Sequence, residues 1–114
     1  MVDVNMLVEP VLAGVGPPVC YQYPEKFNDL PVISYYNLSE NEGFRADGEE
    51  WAQVSRVQVD IWADRAVDTG RTGTAVEQAM KGAGWRREFA ADLPKQTENR
   101  VYHRTIRFAK EIYY

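Results

Sequence analysis

The feature that most constrains the fold is an unbroken stretch at residues 51–63, WAQVSRVQVDIWA, which contains neither Gly nor Pro. From Ser55 onward, one side carries Val57, Val59, Ile61 and Ala63, and the other carries Arg56, Gln58 and Asp60. A period of two predicts a β-strand with one face on a core. At about 3.3 Å per residue, the stretch would span roughly 40 Å. Trp62 joins the polar side, where a large apolar side chain must meet a helix, another sheet or another chain.

The length of 114 residues fits a single domain, residues 1–114, that can bury about two-thirds of its unfolded surface. Cys20 is the one cysteine, so an intrachain disulfide is excluded, and the residue is predicted to be a small buried hydrophobe. The N-terminus lacks the pattern of a signal peptide, and no apolar run is long enough to span a membrane. These features predict a protein made and kept in a reducing cytoplasm.

The net charge of −4 is distributed unevenly along the chain. Residues 1–80 hold 5 Lys and Arg against 13 Asp and Glu, a net −8, whereas residues 81–114 hold 8 against 4, a net +4. A polarised molecule can associate head to tail with copies of itself or present one sign to a partner. The alternative is an ordinary solvated surface.

Local patterns predict the remaining elements. A short helix at residues 3–13 contains Pro10, and strands follow at residues 19–23 and 32–38. A second helix is predicted from Thr69 or, more firmly, from Thr74, whose spacing to Glu77 matches a capping box, to a glycine at 82 or 84. Residues 85–91 read as a strand with Trp85 and Phe89 inward, followed by a polar turn at residues 92–99.

The last strand is predicted at residues 100–112. Its inward side carries Tyr102, Ile106 and Phe108, interrupted by Arg104, and its other side carries His103, Thr105 and Arg107. Because hairpins join antiparallel strands, this order predicts an α+β domain, with an antiparallel sheet and a long hairpin packed against two helices in two layers.

Residues 39–50, SENEGFRADGEE, form the end of the long hairpin and hold five acids and one base. The stretch is either a mobile, solvated loop or a docking element, and its length and its aromatic residue favour docking. The residues assigned to docking are Glu40, Glu42, Phe44, Asp47, Glu49 and Glu50.

No reaction signature is present. Residues 70–74 lack the spacing and the lysine of a phosphate loop, and His103 is the only histidine, so neither a zinc site nor a Ser/His/Asp triad is expected. We therefore predict no enzymatic activity, no cofactor and no metal. The arginines of the last strand, interleaved with Tyr102 and His103, could bind nucleic acid, but a pI near 5.0 argues against nucleic acid as the main ligand.

Three short motifs stand in a fixed order: QVDIW at residues 58–62, Met80 followed by Gly84 and Trp85 at the helix end, and Tyr102-His103 followed by Arg107-Phe108. With the acidic loop and the short first helix, they resemble the tail-completion, or tail-to-head joining, proteins of long-tailed bacteriophages, also called tail-terminator proteins. The resemblance covers nearly the whole chain. It implies an α+β structural virion protein without enzymatic activity.

The resemblance also implies an assembly. Copies of the chain would form a ring, expected to have six members, around the DNA channel in the neck of the virion. Head-connector and tail-tube proteins would be its partners, DNA would pass without specific binding, and no membrane is involved. In such a ring, we expect Trp62 to be the apolar contact between copies, with Arg104, Arg107 or Lys110 near acids of the next copy.

Two alternatives remain open. The chain could be a small nucleic-acid- or protein-binding module that uses the basic C-terminal strand. It could also be a small enzyme or ligand-binding domain in which Trp51, Trp62 and Trp85 line a pocket, although tryptophans in a domain of this size usually belong to the core. Salt-dependent DNA binding would favour the first, and a melting temperature raised by a small molecule would favour the second.

Overall fold

A computed structural model describes residues 2–25, 27, 29–43, 45–46, 48–96 and 101–114. In this part of the chain, the fold consists of a five-stranded sheet with two helices on one of its faces. The elements are α1 (Val4–Ala13), β1 (Val19–Tyr21), β2 (Val32–Glu42), β3 (Arg45–Ala46), β4 (Glu49–Glu50), β5 (Ala52–Ala63), α2 (Ala66–Gly82), β6 (Arg86–Gln96) and β7 (Val101–Tyr113). The sheet order is β1-β2-β5-β7-β6, and β3 and β4 form a separate small hairpin. This two-layer arrangement confirms the predicted α+β class.

The core lies between the sheet and the helices. Val57, Val59 and Ile61 of β5 are fully buried on the helix side, as their alternation predicts. They pack with Val8 and Leu12 of α1, Val76 and Met80 of α2, and Ile106 and Phe108 of β7. Burying an aliphatic or aromatic side chain of this size contributes about 1.5–3 kcal/mol, so this cluster is the main source of stability.

The first strand departs from the predicted pattern. β1 pairs with β2 in parallel, with Val19 opposite Ile33, so the sheet is mostly rather than wholly antiparallel. A parallel pair cannot be joined by a tight hairpin and needs a crossover connection. The described part of that crossover, residues 22–25, 27 and 29–31, passes over the sheet face opposite the helices, where Tyr23 and Phe27 contact Trp62. We call this face the outer face.

Helix α2 begins at Ala66, earlier than predicted, with Arg65 as its N-cap residue. The capping box is not formed, because Thr74 lies inside the helix and its hydroxyl donates to the Gly70 carbonyl at 3.0 Å. The early start follows from packing: Thr69, Thr72 and Gly73 are buried in the first half of the helix. Tertiary burial outweighs the weak helix propensity of this Thr- and Gly-rich stretch.

Strand β6 is longer than predicted, since it continues through Pro94 to Gln96, into the segment assigned to a polar turn. Its pairing with β7 shifts between Arg87 and Phe89. Such a bulge moves the following residues to the opposite face. Trp85 is buried as predicted, whereas Phe89 lies on the outer face and is 46% exposed, so the prediction that Phe89 points inward is wrong.

Candidate functional site

Trp62 lies on the outer face and is only 3% exposed. Its ring stacks on His103 with 3.8 Å between centroids, and Tyr23 and Phe27 contact it at 5.0 and 5.4 Å. Its indole N–H donates to the Ser34 hydroxyl at 2.9 Å. The assignment of Trp62 to a contact between copies is therefore corrected: the crossover of the same chain covers the ring. A pattern along one strand gives no sign of a cover that comes from a distant segment.

Asp60 is the centre of a polar network on the same face. Its Oδ1 lies 2.7 Å from His103 Nε2, and Gln58 Nε2 donates to both carboxylate oxygens at 3.2 Å. Gln58 Oε1 in turn accepts from Arg107 Nε at 3.1 Å. Burying a carboxylate costs free energy unless it is hydrogen-bonded. The hydrogen bonds from Gln58 and His103 therefore offset the cost of burying Asp60.

Ser34 completes a set of Ser, His and Asp residues on one face, but the arrangement does not fit nucleophilic catalysis. Its hydroxyl is fully buried and accepts the Trp62 N–H, and Ser34 is the register partner of Asp60 across the β2–β5 pair. A serine nucleophile needs a hydrogen bond to its base and access to a substrate. We interpret the network as a polar clamp that fixes β2, β5 and β7 in register.

The basic residues assigned to contacts between copies do not lie on one surface. Arg104 and Lys110 face the helix layer, and Arg107 lies on the outer face, because successive residues of β7 point to opposite sides. Arg107 is exposed, with its guanidinium 5.5 Å from the centre of the Phe89 ring. Arg104 and Arg107 therefore do not share one face of the sheet.

Arg104 and Lys110 contact their own chain. Arg104 Nη1 lies 3.0 Å from Asp92 Oδ1, and its side chain passes beneath α2 at Gly73. Lys110 Nζ donates to the Ala83 carbonyl at 2.8 Å, at the C-terminal end of α2, where cations are favoured. Lys110 thus fastens the end of α2 to β7, and Arg104 links β7 to β6 beneath α2, roles that the sequence pattern did not indicate.

The acidic end of the long hairpin is more regular than predicted. β2 continues to Glu42, which pairs with Gln53, so strand pairing covers the first four residues of the segment 39–50. Glu40 accepts from the Asn37 side chain at 2.8 Å, and Glu49 is exposed in β4. Phe44 and Asp47 lie outside the described residues, and for Glu42 and Glu50 the structure describes only the backbone. Trp51 follows β4 and is 46% exposed.

A groove runs along the side of α2 that faces β6. Its deeper end is a cavity of about 190 Å³ lined by Glu77, Lys81, Trp85, Arg86, Arg87 and Phe108. It continues into a shallower space of about 270 Å³ lined by Thr74, Glu77, Gln78 and Lys81. Arg87 is neutralised by Glu77 at 3.0 Å, whereas the Arg86 side chain is 63% exposed and 3.8 Å from Glu88. The groove thus has aromatic walls and a basic rim, and sequence reasoning missed it because it joins two elements.

Metal and membrane sites find no support in the described part of the chain. Among those residues, no three or more His, Cys, Asp or Glu side chains are grouped to hold a metal ion. None of the described helices combines the length and the apolar character needed to cross a membrane. No protein-family model matches the chain, and no curated protein matches it either.

Proposed function

We propose that this chain is a structural protein of a bacteriophage neck, which completes the tail and joins it to the head by forming a ring, expected to have six members, around the DNA channel. The observation that carries the proposal is the convergence of the three sequence motifs. Ile61 of the first motif, Met80 and Trp85 of the second and Phe108 of the third pack in one core cluster. Trp62 and His103, from the first and third motifs, stack on the outer face.

Shape and charge support a ring. The molecule measures 53 × 24 × 22 Å. Its acidic hairpin end belongs to β2 and the central strand β5, whereas the groove with the basic rim belongs to α2 and the edge strand β6. A ring needs two different surfaces that fit each other, repeated with a rotation that closes. An acidic hairpin end and a groove with a basic rim, carried by different elements, meet that requirement.

The proposed role requires no reaction. Its partners would be copies of the chain, a head-connector protein and a tail-tube protein, and DNA would pass through the ring without sequence-specific contacts. The protein would be made in the host cytoplasm and would reside in the virion neck.

The experiment is a conditional nonsense mutation of this gene in the phage that encodes it. Under non-permissive conditions, electron microscopy should show filled heads and complete tails that are not joined, and the wild-type protein supplied in trans should restore joining. Normal yields of joined particles without the protein would contradict the proposal.

One observation favours the alternative of a nucleic-acid-binding module. The exposed outer face of β6 and β7 combines Phe89 and Leu93 with Arg107, and a cation beside exposed rings is typical of surfaces on which bases stack. Fluorescence anisotropy with a single-stranded oligonucleotide would test it. Binding that weakens with salt and is lost in both Phe89→Ala and Arg107→Gln would support this function over the neck role.

A further inference from the structure

We infer that the groove between α2 and β6 is the receptor for the acidic hairpin end of a second copy of the same chain. The inference rests on the proposed ring and names its contact surfaces. The hairpin end is defined by Glu40, Glu49 and Trp51, and the receptor is defined by the basic rim of Lys81 and Arg86 around the cavity at Trp85.

Charge complementarity favours the acidic hairpin end as the segment that binds in the groove. The segment 39–50 carries five acids and one base, a net −4, and Glu40 and Glu49 lie on its described part. The rim holds Lys81, Arg86 and Arg87 against Glu77, and Glu77 is already paired with Arg87. Of the other two cations at the rim, Lys81 is exposed, and Arg86 is exposed and lies 3.8 Å from Glu88. Within the chain, the hairpin end is the most acidic segment available to meet them.

The size of the cavity fits an aromatic side chain of the hairpin end, Trp51. An apolar cavity of about 150 Å³ holds a benzene ring, so the 190 Å³ beside Trp85 has room for one aromatic ring. Trp51 is 46% exposed at the hairpin end, and its indole N–H donates to the Ala46 carbonyl at 3.2 Å. Insertion of this ring would bury apolar surface at the centre of the contact, with the ion pairs at its rim, as in specific interfaces.

The sheet topology indicates that the contact between hairpin end and groove joins two copies of the chain. The two copies contribute different surfaces to it. In the sheet order β1-β2-β5-β7-β6, the hairpin end extends from β2 and β5, and the groove lies against β6 on the far side of β7. Contact between the two therefore joins different patches of two copies and leaves one free hairpin end and one free groove, so it continues until the ring closes.

Disulfide trapping tests the contact directly. In a Cys20→Ala background, Glu49→Cys would be mixed with Gln78→Cys, which places a thiol in the shallow part of the groove, or with Asp64→Cys, an exposed position between β5 and α2. We expect the Glu49/Gln78 pair to cross-link about tenfold faster than the Glu49/Asp64 pair, and the chain carrying both Glu49→Cys and Gln78→Cys to form a covalent ladder. Equal rates for the two pairs would overturn the inference.

Charge reversal identifies the chemistry of the contact. Lys81→Glu with Arg86→Glu should lower the cross-linking rate about tenfold, because like charges would then face each other. Adding Glu40→Lys and Glu49→Lys to that chain reverses both sides, and its self-association, measured with an amine-independent photo-cross-linker at position 78, should return to the wild-type level. Failure of the fourfold variant to recover while it remains folded would contradict the ionic contact.

The same variants separate this inference from the proposed function. If heads and tails join without the gene, yet the Glu49/Gln78 preference persists, the neck role fails and the contact stands. If joining needs the gene but the preference is absent, the neck role stands and the contact is wrong.

Discussion

Gln53 ties both ends of the chain to the central strand. Its side-chain oxygen accepts from the Val2 N–H at 3.0 Å and the Tyr114 hydroxyl at 2.9 Å. Its side-chain nitrogen donates to the Val2 carbonyl at 3.3 Å and to the Ser55 hydroxyl at 2.8 Å. All four hydrogen bonds that a buried Gln can make to these neighbours are present. One side chain thus holds the terminal segments against β5.

Replacing Gln53 with Leu should lower the free energy of unfolding by about 1–3 kcal/mol, because the polar groups of Val2 and Ser55 lose their partner in a buried site. Urea denaturation measures the change. Gln78→Leu, at an exposed position of α2, is the control and should change the stability by less than about 0.5 kcal/mol. Equal losses in both variants would show that the Gln53 hydrogen bonds contribute nothing.

Cys20 should titrate above the ordinary pH range of a thiol. Burial raises its pKa, and the negative charge of Glu25 raises it further, because both disfavour the thiolate. The stability that this group contributes is fully present below the thiol pKa of the unfolded chain and is lost as the pH rises through the higher folded value. Thiolate absorbance should therefore show a higher midpoint in the folded protein than in urea, and Glu25→Gln should lower the folded midpoint. Coinciding folded and unfolded midpoints would contradict this.

At the scale of elements, two of the glycines of helix α2, Gly70 and Gly73, have contrasting surroundings. A methyl group added at Gly73 would lie 2.9 Å from Arg104 Nε and 3.0 Å from its Cδ, whereas nothing lies within 4 Å of one added at Gly70. Gly73 is therefore the position where α2 passes over the Arg104 side chain. Gly70 has no such constraint.

Gly70→Ala should raise the free energy of unfolding by about 0.5–1 kcal/mol, since Ala is the better helix former. Gly73→Ala should not stabilise the protein, because Arg104 must move away from Asp92 to admit the methyl group. Thermal denaturation of the matched pair checks this. Equal stabilisation by both substitutions would mean that the close approach of Arg104 imposes no cost.

The hairpin end gives a second prediction at this scale. Amides of residues 39–42, which the structure pairs with β5, should exchange more slowly than those of residues 45–46 and 48–50, which belong to or adjoin the short β3–β4 pair. Few apolar contacts and repulsion among the acids lower local stability there. Hydrogen exchange of the free protein measures this, and uniform protection across residues 39–50 would contradict the expected mobility.

At the scale of the whole molecule, the charge separation predicts salt-sensitive association. Residues 1–80 carry a net −8 and residues 81–114 a net +4, and added salt screens exposed charges beyond about 10 Å at 0.1 M. Self-association measured by sedimentation should weaken as salt rises, and Arg86→Gln should reduce that dependence. Association that strengthens with salt would indicate an apolar contact instead.

A structural feature can be predicted from the sequence when residues close together in the chain determine it. Strand phase is local: Val57, Val59, Ile61, Ile106 and Phe108 are buried as their alternation predicts, since neighbouring side chains of a strand must point to opposite faces. The short first helix is local too, and it begins one residue from its predicted start, with Asp3 accepting from the Asn5 N–H. The α+β class follows from the order of these elements.

Tertiary structure decided what no single segment specifies. The parallel β1 sends the crossover over Trp62, so a residue that alternation marks for contact with a partner becomes buried. A bulge before Phe89 turns it outward, and burial of Thr69 and Gly73 starts α2 early. The polar clamp around Asp60 and the groove between α2 and β6 arise only when separate elements meet. Alternation along a chain fixes which way a side chain points, but what it meets there depends on packing between segments that lie far apart in sequence.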